Sequence, residues 1–456
     1  MINGSFRKYL EEAIGSVNAL VAFSAFESPA SASVRANPFK MGIVPEGRPV
    51  VWSSHGRILP ERPLFTLDPH FHAGAYYVQD SSSMFVGHAF RKLLQGISRP
   101  VVRPVRVLDL CAAPGGKTTD LAASLREAFG DDFILVSNEV MKARAGVLAD
   151  NVALWGDPNV VVTSDDPRAF AALPGFFDVI VADVPCSGEG MFRKDEEAQK
   201  QWSEDNVALC EARQRRIVAD VWASLKEDGI FIYSTCTFNK YENDGNVQWI
   251  AGELGADCIF TQDVLEPGEG VIRTPLGYSL VPGHVEGEGQ YCSALRKTSH
   301  VGFGDSSHKT PRASKAQAVS SEVVAGLLKV KSVCRLRGET VIAVPENLAA
   351  ELSLLESALH VIAAGCAVGT LKGKVLVPDA DLALSIAFDR NAFPEVQVDR
   401  DTALAYLHRD AIVLPDAPKG YVTIVYEGLP LGFVKNLGNR CNSLHPQSRR
   451  IRMNIK

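Results

Sequence analysis

The sequence has no long uninterrupted apolar segment. Nowhere do about 18 apolar residues follow one another, which is the length that a membrane-spanning helix needs. The N-terminal segment reaches Glu11 and Glu12 before any apolar stretch long enough for a signal peptide. These absences predict a cytosolic (cytoplasmic) protein that does not contact a membrane.

Cysteine pairs and an excess of positive charge are missing as well. The nine cysteines are odd in number and widely scattered, and none forms a Cys-x-x-Cys pair, so neither a disulfide framework nor a structural zinc site is expected. The 47 Lys and Arg residues are outnumbered by 53 Asp and Glu residues. Any surface that binds nucleic acid must therefore be local.

The composition that is present is typical of a folded globular protein, with 46% hydrophobic and 22% charged residues. At ~150 residues per domain, 456 residues suit about three domains. Residues 1–95 are predicted to form an N-terminal lead-in domain. It carries a small basic cluster at Arg35, Lys40, Arg48 and Arg57.

From residue 105 onward, short apolar runs alternate with segments of helical periodicity. The runs at 105–110, 133–137, 159–163, 177–182 and 229–234 are interpreted as buried strands, and the segments 117–129 and 206–226 as helices. This alternation is typical of βαβ units. Residues 96–298 are therefore predicted to form an α/β domain with a parallel sheet.

A polar segment separates this domain from the rest of the chain. Residues 299–318 are rich in Ser, Lys and Gly, which predicts a linker. Residues 319–390 then predict a small α+β module with strands at 341–344 and 374–377 and a helix at 348–359. Residues 391–456 predict a last module with strands at 412–414 and 421–426.

Ligands of an open parallel sheet bind at the carboxyl ends of its strands. The first predicted strand is followed by small residues that allow close approach of a ligand: Cys111, Ala112, Ala113, Pro114, Gly115, Gly116 and then Lys117. A phosphate-binding P-loop would need glycine in place of Cys111, and the Gly-x-Gly-x-x-Gly pattern of dinucleotide binders is absent. The loop therefore predicts a cofactor that contains a nucleoside.

Acidic residues follow the next strands. Glu139 is placed to accept hydrogen bonds from ribose hydroxyls, Asp166 suits an adenine amine, and Asp183 ends the fourth strand. An acid at a strand end is often only a helix cap. Several acids in register after a glycine loop favour the cofactor instead.

Two cysteines lie just beyond the fourth and fifth strands. Cys186 and Cys236 stand among Pro, Ser, Gly and Thr residues. A cysteine inside an apolar strand is usually a small core residue, but one beyond the strand end, over the ligand edge, is more typical of a reactive thiol. Because no His flanks either cysteine at ligand spacing, no metal is expected.

At these residues the sequence resembles the RNA 5-methylcytosine methyltransferases that use S-adenosylmethionine. The motifs that carry the resemblance are DLCAAPGGKT at 109–118, DVPCSG at 183–188 and STCT at 234–237, with RANPFK at 35–40, YYVQDSSSM at 76–84 and HVEGEG at 284–289. The continuation GEGMFRKD at 188–195 and GFVKNL at 432–437 are similar to the bacterial ribosomal RNA small subunit methyltransferase F subgroup. Val184 departs from the usual Ala, and Gln290 and Tyr291 stand where two aromatic residues are common.

The resemblance implies a Rossmann-like methyltransferase domain and a role for each motif residue. Residues 111–117 would hold the methionine part of S-adenosylmethionine, Glu139 the ribose and Asp166 the adenine, with Asp183 between cofactor and base. Cys236 resembles the family's nucleophile. Cys186 resembles the cysteine that resolves the covalent adduct.

The reaction explains why two thiols are needed. Carbon 5 of cytosine is too weak a nucleophile to take a methyl group directly, so a thiolate adds to carbon 6 first. Asp183, at ring nitrogen 3, would stabilise the charge that appears there. After methyl transfer, the carbon 5 proton must leave and the sulfur must be expelled, with Cys186 as the base or as a relay to one.

The RNA-binding surface is predicted near the C-terminus. Residues 428–456 contain no Asp or Glu and six basic residues: Lys435, Arg440, Arg449, Arg450, Arg452 and Lys456. A solvated basic tail is the simpler interpretation, but the resemblance implies a PUA-like RNA-binding domain at 391–456 and RNA contacts in the N-terminal domain. Arg35, Lys40 and Arg48 are the second candidate RNA surface.

The expected partner is RNA, most directly 16S ribosomal RNA or the small ribosomal subunit, and the expected state is a monomer. Two alternatives stay open: a transfer RNA cytosine-5 methyltransferase, and a catalytically silent RNA-binding factor for ribosome assembly. An amino-group methyltransferase would need a different motif from the one at 183–186.

Overall fold

A computed structural model describes residues 4–97, 100, 102–259, 268–299, 318–373 and 375–455. Within these ranges the strands form four sheets, of four, ten, five and four strands. The predicted linker at 299–318 lies outside the described residues except at its two ends.

The N-terminal part consists of a helical hairpin and a small antiparallel sheet. The helices are α1 (Gly4–Ile14), α2 (Ser16–Phe26), α3 (Pro69–His72) and α4 (Met84–Leu94), and the strands are β1 (Ala32–Ala36), β2 (Arg48–Val50), β3 (Ser53–Leu59) and β4 (Tyr76–Val78), in the order β2-β3-β1-β4. Phe6 is buried at the centre of the hairpin, where its ring contacts Phe26, Phe192 and Trp202. The hairpin therefore packs against residues 192–202.

The ten-stranded sheet lies at the centre of the molecule. Its parallel strands are β5 (Val105–Asp109), β6 (Phe133–Asn138), β7 (Val160–Thr163), β8 (Phe177–Asp183) and β9 (Leu225–Thr235). Antiparallel strands extend one side of it: β10 (Ala256–Cys258), β11 (Ile272–Arg273), β12 (Tyr278–Leu280) and β13 (Gln290–Lys297). Across the sheet the parallel strands lie in the order β9-β8-β5-β6-β7.

Helices α5 (Gly116–Phe129) and α6 (Lys142–Trp155) cover one face of this sheet, and α8 (Glu204–Val221) and α9 (Asp244–Leu254) cover the other. Helix α7 (Glu196–Gln201) packs instead with the N-terminal helical hairpin. Alternate residues of each strand enter two separate cores. Val107 and Val181 pack with α4, α5 and α6, whereas Leu108 and Ile180 pack with α8 and α9. Burial on both faces explains why the parallel strands are almost continuously apolar in sequence.

The α/β fold class and all five predicted strands are confirmed, and the helix at 117–129 is confirmed as α5. The helix predicted at 206–226 is wrong in its last turn. Helix α8 ends at Val221, and Leu225 already begins β9, because its backbone pairs with Phe177 of β8.

The segment after the gap forms an antiparallel sheet of β14 (Ala318–Val319), β15 (Ser332–Arg337), β16 (Thr340–Pro345), β18 (Cys366–Lys372) and β19 (Val375–Pro378), with α10 (Ala349–Ala358) and α11 (Ala380–Leu384). One strand leaves this module: β17 (Val361–Ala364) pairs antiparallel with β7 and extends the edge of the central sheet. The strand predicted at 374–377 corresponds to β19, although residue 374 is not described.

The last module contains β20 (Glu395–Gln397), α12 (Arg400–His408), β21 (Gly420–Tyr426), β22 (Leu429–Asn436) and β23 (Cys441–Ser443). The strand predicted at 412–414 is wrong, since the described backbone there is coil. Ile412 and Leu414 are apolar because they are buried in the core of this module. Burial, not pairing in a sheet, produced the apolar pattern.

The predicted basic cluster of the N-terminal domain is not an RNA surface at two of its positions. Arg35 is fully buried, donates hydrogen bonds to Gln79 and Thr119, and stacks over Trp155. The Lys40 ammonium donates to two backbone carbonyls, and burial lowers the pKa of Lys40 to about 7. Both residues fix the N-terminal part to the central domain.

Candidate active site

The carboxyl ends of the parallel strands bring the predicted site residues to one edge of the sheet. Strand β8 lies between β9 and β5, so the loop that carries Cys186 is flanked by the loop of Cys236 and by the glycine loop at 111–117. No cluster of three or more His, Cys, Asp or Glu side chains suited to a metal ion occurs within the described ranges. The polar side chains at this edge include the two thiols, the Asp183 carboxylate and the Lys117 ammonium.

The two thiols are in direct contact. The Sγ atoms of Cys186 and Cys236 lie 3.1 Å apart, and both side chains are half-buried. The hydrogen bond to Cys236, followed by burial, raises the pKa of the Cys186 thiol well above its usual range. The two sulfurs are therefore close enough to act as a pair.

Asp183 is held by three side chains. Its Oδ2 accepts a hydrogen bond from the Lys117 ammonium at 2.8 Å, and its Oδ1 accepts from the Ser234 hydroxyl at 2.8 Å and the Gln290 amide at 3.0 Å. Burial alone would lower the pKa of Lys117, but the ion pair with Asp183 leaves it raised. Gln290 also donates to the backbone carbonyl of Thr235, so it links Asp183 to the strand that precedes Cys236.

The glycine loop is shaped by contacts from outside it. Gly115 has φ of +116°, a conformation that disfavours any side chain. Side-chain donors fix three carbonyls of the loop. Arg144 donates to the carbonyl of Ala113, and Arg35 donates to that of Gly116. The carbonyl of Pro114 accepts from both Tyr77 and Asn151. The N-terminal sheet thus braces the loop through Arg35 and Tyr77.

Beneath the loop, the Asp109 carboxylate is fully buried. Its Oδ2 accepts from the Thr118 hydroxyl at 2.7 Å, while Oδ1 has no hydrogen-bond partner among the described residues. Burial raises the pKa of Asp109 to about 7. The unpartnered Asp109 oxygen fits an amine of a ligand, and the glycine-bounded N-terminus of α5 fits a carboxylate of the same ligand. Cys111 does not face this ligand as a thiol nucleophile, because its side chain packs on the core and burial raises its pKa.

The two acids predicted to hold a nucleoside lie on the same edge but differ in environment. Glu139 is buried, accepts from the Met141 backbone N–H at 2.9 Å and pairs with Arg144 at 3.2 Å. Asp166 is more exposed and accepts from the backbone N–H and guanidinium of Arg168, so it caps a short 3-10 helix. The structure therefore does not bring Asp166 into the network of Asp183 and the thiols.

An ion pair joins two of the sequence motifs. The Arg193 guanidinium forms a bidentate ion pair with Glu288, at 2.8 and 2.9 Å, and both side chains are almost fully buried. Arg193 belongs to the motif at 188–195 and Glu288 to the motif at 284–289. Their pairing joins the two motifs in the folded protein.

Comparison with known proteins agrees with this geometry. The profile described as 16S rRNA methyltransferase RsmB/F matches residues 102–296, that of the RsmF N-terminal domain matches residues 2–81, and that of the RsmF PUA domain matches residues 393–451. The ribosomal RNA small subunit methyltransferase F of Serratia proteamaculans is 30% identical over 455 residues, which covers 93% of this chain and 91% of that protein. The chain belongs to the ribosomal RNA small subunit methyltransferase F family.

Two further members of this family also match the chain. The Enterobacter protein of the same name is 28% identical over 96% of this chain and 95% of its own length. The Pectobacterium atrosepticum protein is 37% identical over a shorter match, 50% of this chain and 46% of that protein. Family membership confirms the expected enzyme class and cofactor: the chain is an S-adenosylmethionine-dependent RNA methyltransferase.

Solved structures share the fold. A methyltransferase homolog protein from Pyrococcus horikoshii matches with a TM-score of 0.52 at 24% identity, over 65% of this chain and all of that one. NSun6 from the same organism, solved with SFG, matches with a TM-score of 0.50 at 17% identity, over 65% of this chain and 98% of that one. At these identities the likeness supports the methyltransferase fold.

The basic residues of the PUA domain do not all face solvent. The Arg449 guanidinium is mostly buried and pairs with Asp150 of α6 and Asp381 of α11, so it joins domains instead of binding RNA. Lys435, Arg440, Arg450 and Arg452 are exposed, and Lys456 lies outside the described residues. No helix among the described ranges has the length and apolar character that crossing a membrane requires.

Proposed function

We propose that this methyltransferase modifies carbon 5 of a cytosine in 16S ribosomal RNA through a covalent bond between Cys236 and carbon 6 of the base. The observation that carries the proposal is the contact between two thiols, 3.1 Å apart, beside a carboxylate that is ion-paired with Lys117. A methyltransferase that acts on an amino group has no use for a second thiol at this edge.

In the first step the Cys236 thiolate adds to carbon 6, and the electron pair of the ring double bond moves towards carbon 5 and the ring. Asp183 and Lys117 hold a transferable proton for ring nitrogen 3, where charge accumulates. When bound, S-adenosylmethionine supplies the methyl group that carbon 5 takes up. Residues 111–117, Glu139 and Asp166 are the groups that would hold this cofactor.

In the last step the proton on carbon 5 leaves, its electron pair restores the double bond, and Cys236 departs as a thiolate. The proton at ring nitrogen 3 returns to the pair of Asp183 and Lys117. The hydrogen bond to Cys236, burial and the charge of Cys236 raise the pKa of Cys186 before the reaction. Once Cys236 is bonded to carbon, its charge and hydrogen bond no longer act on Cys186. Cys186 then passes its proton to solvent and takes the carbon 5 proton, directly or through a relay. The same contact then lets Cys186 stabilise the departing sulfur.

The target nucleotide can be tested directly. Bisulfite sequencing of RNA from a strain that lacks the gene should show the loss of one or a few 5-methylcytosines in 16S ribosomal RNA, restored by the wild-type gene. Loss in a transfer RNA instead would support the transfer RNA alternative. An unchanged pattern in all RNAs would contradict the proposed reaction.

The exposed basic residues of the PUA domain are expected to bind RNA phosphates. Replacement of Lys435, Arg440, Arg450 and Arg452 by Gln should weaken RNA binding and make its salt dependence shallower, by about 0.7–0.9 in the log–log slope for each phosphate that is no longer bound. Substitution is preferable to truncation because β22 contributes the buried Phe433 and Val434 to the domain.

Cofactor affinity should not change, because these side chains lie outside the glycine loop and its supports. The control variant replaces Lys329 and Lys331, exposed residues of the preceding module, by Gln. Filter binding across a salt series measures both effects. An unchanged slope in the quadruple variant would move the RNA surface away from the PUA domain.

A further inference from the structure

Two buried carboxylates join the loops that carry the thiols. Glu189 follows Cys186 in the chain, and its side chain is almost completely buried. Its Oε2 accepts hydrogen bonds from the backbone N–H groups of Phe238 at 2.7 Å and Asn239 at 3.0 Å, which follow Cys236. A carboxylate from the Cys186 loop therefore holds the backbone of the Cys236 loop.

The reverse contact is also made. Glu242 follows Cys236, is fully buried, and accepts at Oε2 from the backbone N–H of Ser187 at 3.0 Å. The same Oε2 accepts from the Gln214 amide at 2.7 Å, and Gln214 also donates to the carbonyl of Pro185. Both neighbours of Cys186 are thus fixed by groups that converge on Glu242.

A single amide connects the two carboxylates. The Nδ2 group of Asn239 donates to Oε1 of Glu242 at 2.8 Å and to Oε1 of Glu189 at 3.0 Å. Between the same loops, the backbone N–H of Gly190 donates to the carbonyl of Cys236 at 2.8 Å. The loops are therefore cross-linked in both directions within a few residues of each sulfur.

The arrangement costs stability. Neither Glu189 nor Glu242 forms an ion pair with Lys or Arg within the described part of the chain, so hydrogen-bond donors without a formal charge compensate their burial. Burial raises the pKa of Glu242 to about 7. Apolar side chains at these positions would cost less free energy to bury, but they could not accept hydrogen bonds from the backbone N–H groups of a neighbouring loop.

We propose that Glu189 and Glu242 form a reciprocal carboxylate clamp that positions Cys186 and Cys236 as a thiol pair. The proposal rests on the proposed function, in which the two sulfurs act on the same adduct. Both glutamates are positioning residues. They act through the backbone of the loops and do not contact the reacting atoms.

The direct test measures thiol geometry without catalysis. Phenylarsine oxide forms two arsenic–sulfur bonds with a close pair of thiols and releases one water, with no change in sulfur oxidation state. The wild-type protein should bind it in a form that only dithiols reverse, and the Cys186→Ala and Cys236→Ala variants should not. Glu242→Gln and Glu189→Gln each place an amide N–H donor against the N–H donors that the carboxylate now accepts from. The loops should then separate, which lowers the effective concentration of the second thiol for the second arsenic–sulfur bond. Each variant should therefore bind the arsenical more weakly, on the order of a hundredfold.

The same variants should lower kcat by on the order of a hundredfold, because a small misplacement of reacting groups has that effect, while the affinity for S-adenosylmethionine stays within about twofold. The matched control is Asp178→Asn, which removes a buried carboxylate at the opposite end of β8 and should leave arsenical binding unchanged. If a Gln variant does not fold, Asn239→Leu keeps both carboxylates and removes the amide between them, and should weaken arsenical binding in the same direction.

Wild-type arsenical binding in the Gln and Leu variants would overturn the clamp, even if methylation were lost, because the thiols would still be paired. The proposed reaction fails on a different result, namely methylation by Cys236→Ala. The two outcomes are therefore distinguishable in one set of proteins.

Discussion

The Cys236→Ala variant is expected to methylate RNA at less than about a hundredth of the wild-type rate, which corresponds to a loss of about 3 kcal/mol of transition-state stabilisation. The substitution removes only Sγ from a half-buried side chain at the end of β9. The backbone around it stays fixed by Glu189 and by Gly190. Without a sulfur to add to carbon 6, carbon 5 does not become nucleophilic.

Transfer of a labelled methyl group to RNA measures this loss, and calorimetric titration should give a normal affinity for S-adenosylmethionine. The matched control is Cys441→Ala, which removes another half-buried thiol, from the PUA domain. It should methylate at the wild-type rate. A rate for Cys236→Ala close to that of Cys441→Ala would remove Cys236 from the role of nucleophile.

The parallel sheet could be predicted because each strand is apolar on both faces. The continuous runs at β5, β6 and β8 contrast with the helical periodicity between them, and that contrast is local in sequence. Strand β17 has an equally apolar sequence, yet its partner β7 lies about 200 residues earlier, and Val361 pairs with Thr163. No local pattern specifies such a partner, and no strand is predicted from the sequence at 361–364.

In the site, too, positions along the strands could be predicted, whereas contacts between distant loops could not. The central side chains of the site lie at or just after strand ends: Asp183, Cys186, Cys236 and Lys117. Their convergence is a consequence of the sheet order. Sequence reasoning missed the roles of Glu189, Glu242 and Gln290, and those of Gln214 and Asn239. Which polar side chains become buried, and against which donors, depends on contacts between loops. The one available signal was the occurrence of acidic residues within a few positions of each cysteine.

Charged residues were misjudged for a related reason. Arg35 and Arg449 were counted as basic surface, but Arg35 supports Gly116 and Arg449 joins the PUA domain to α6. Charge predicts exposure only when no buried partner exists, and the partners here lie 81 and 299 residues away in sequence. Lys435 and Arg440 are exposed and remain the stronger candidates for RNA contacts.

The Cys186→Ala variant is expected to accumulate as a covalent complex with its substrate RNA. Cys236 can still add to carbon 6 and carbon 5 can still be methylated, but the base that Cys186 provides for the carbon 5 proton is absent. Elimination of the sulfur then becomes slow, and the enzyme stays bonded to the RNA. A denaturing gel of the variant, incubated with substrate RNA and S-adenosylmethionine, should show a slowly migrating band that wild-type protein forms only in trace amounts.

The double variant Cys186→Ala/Cys236→Ala should give no such band, because it lacks the attacking sulfur, and Cys236→Ala alone should give none either. A band that appears with Cys236→Ala and disappears with Cys186→Ala would reverse the roles and make Cys186 the nucleophile. The first pattern is expected because Cys236 stands in the motif at 234–237 that resembles the family's nucleophile, and because the hydrogen bond to Cys236 raises the pKa of Cys186. A thiol that keeps its proton is the weaker nucleophile and the better partner for a departing thiolate.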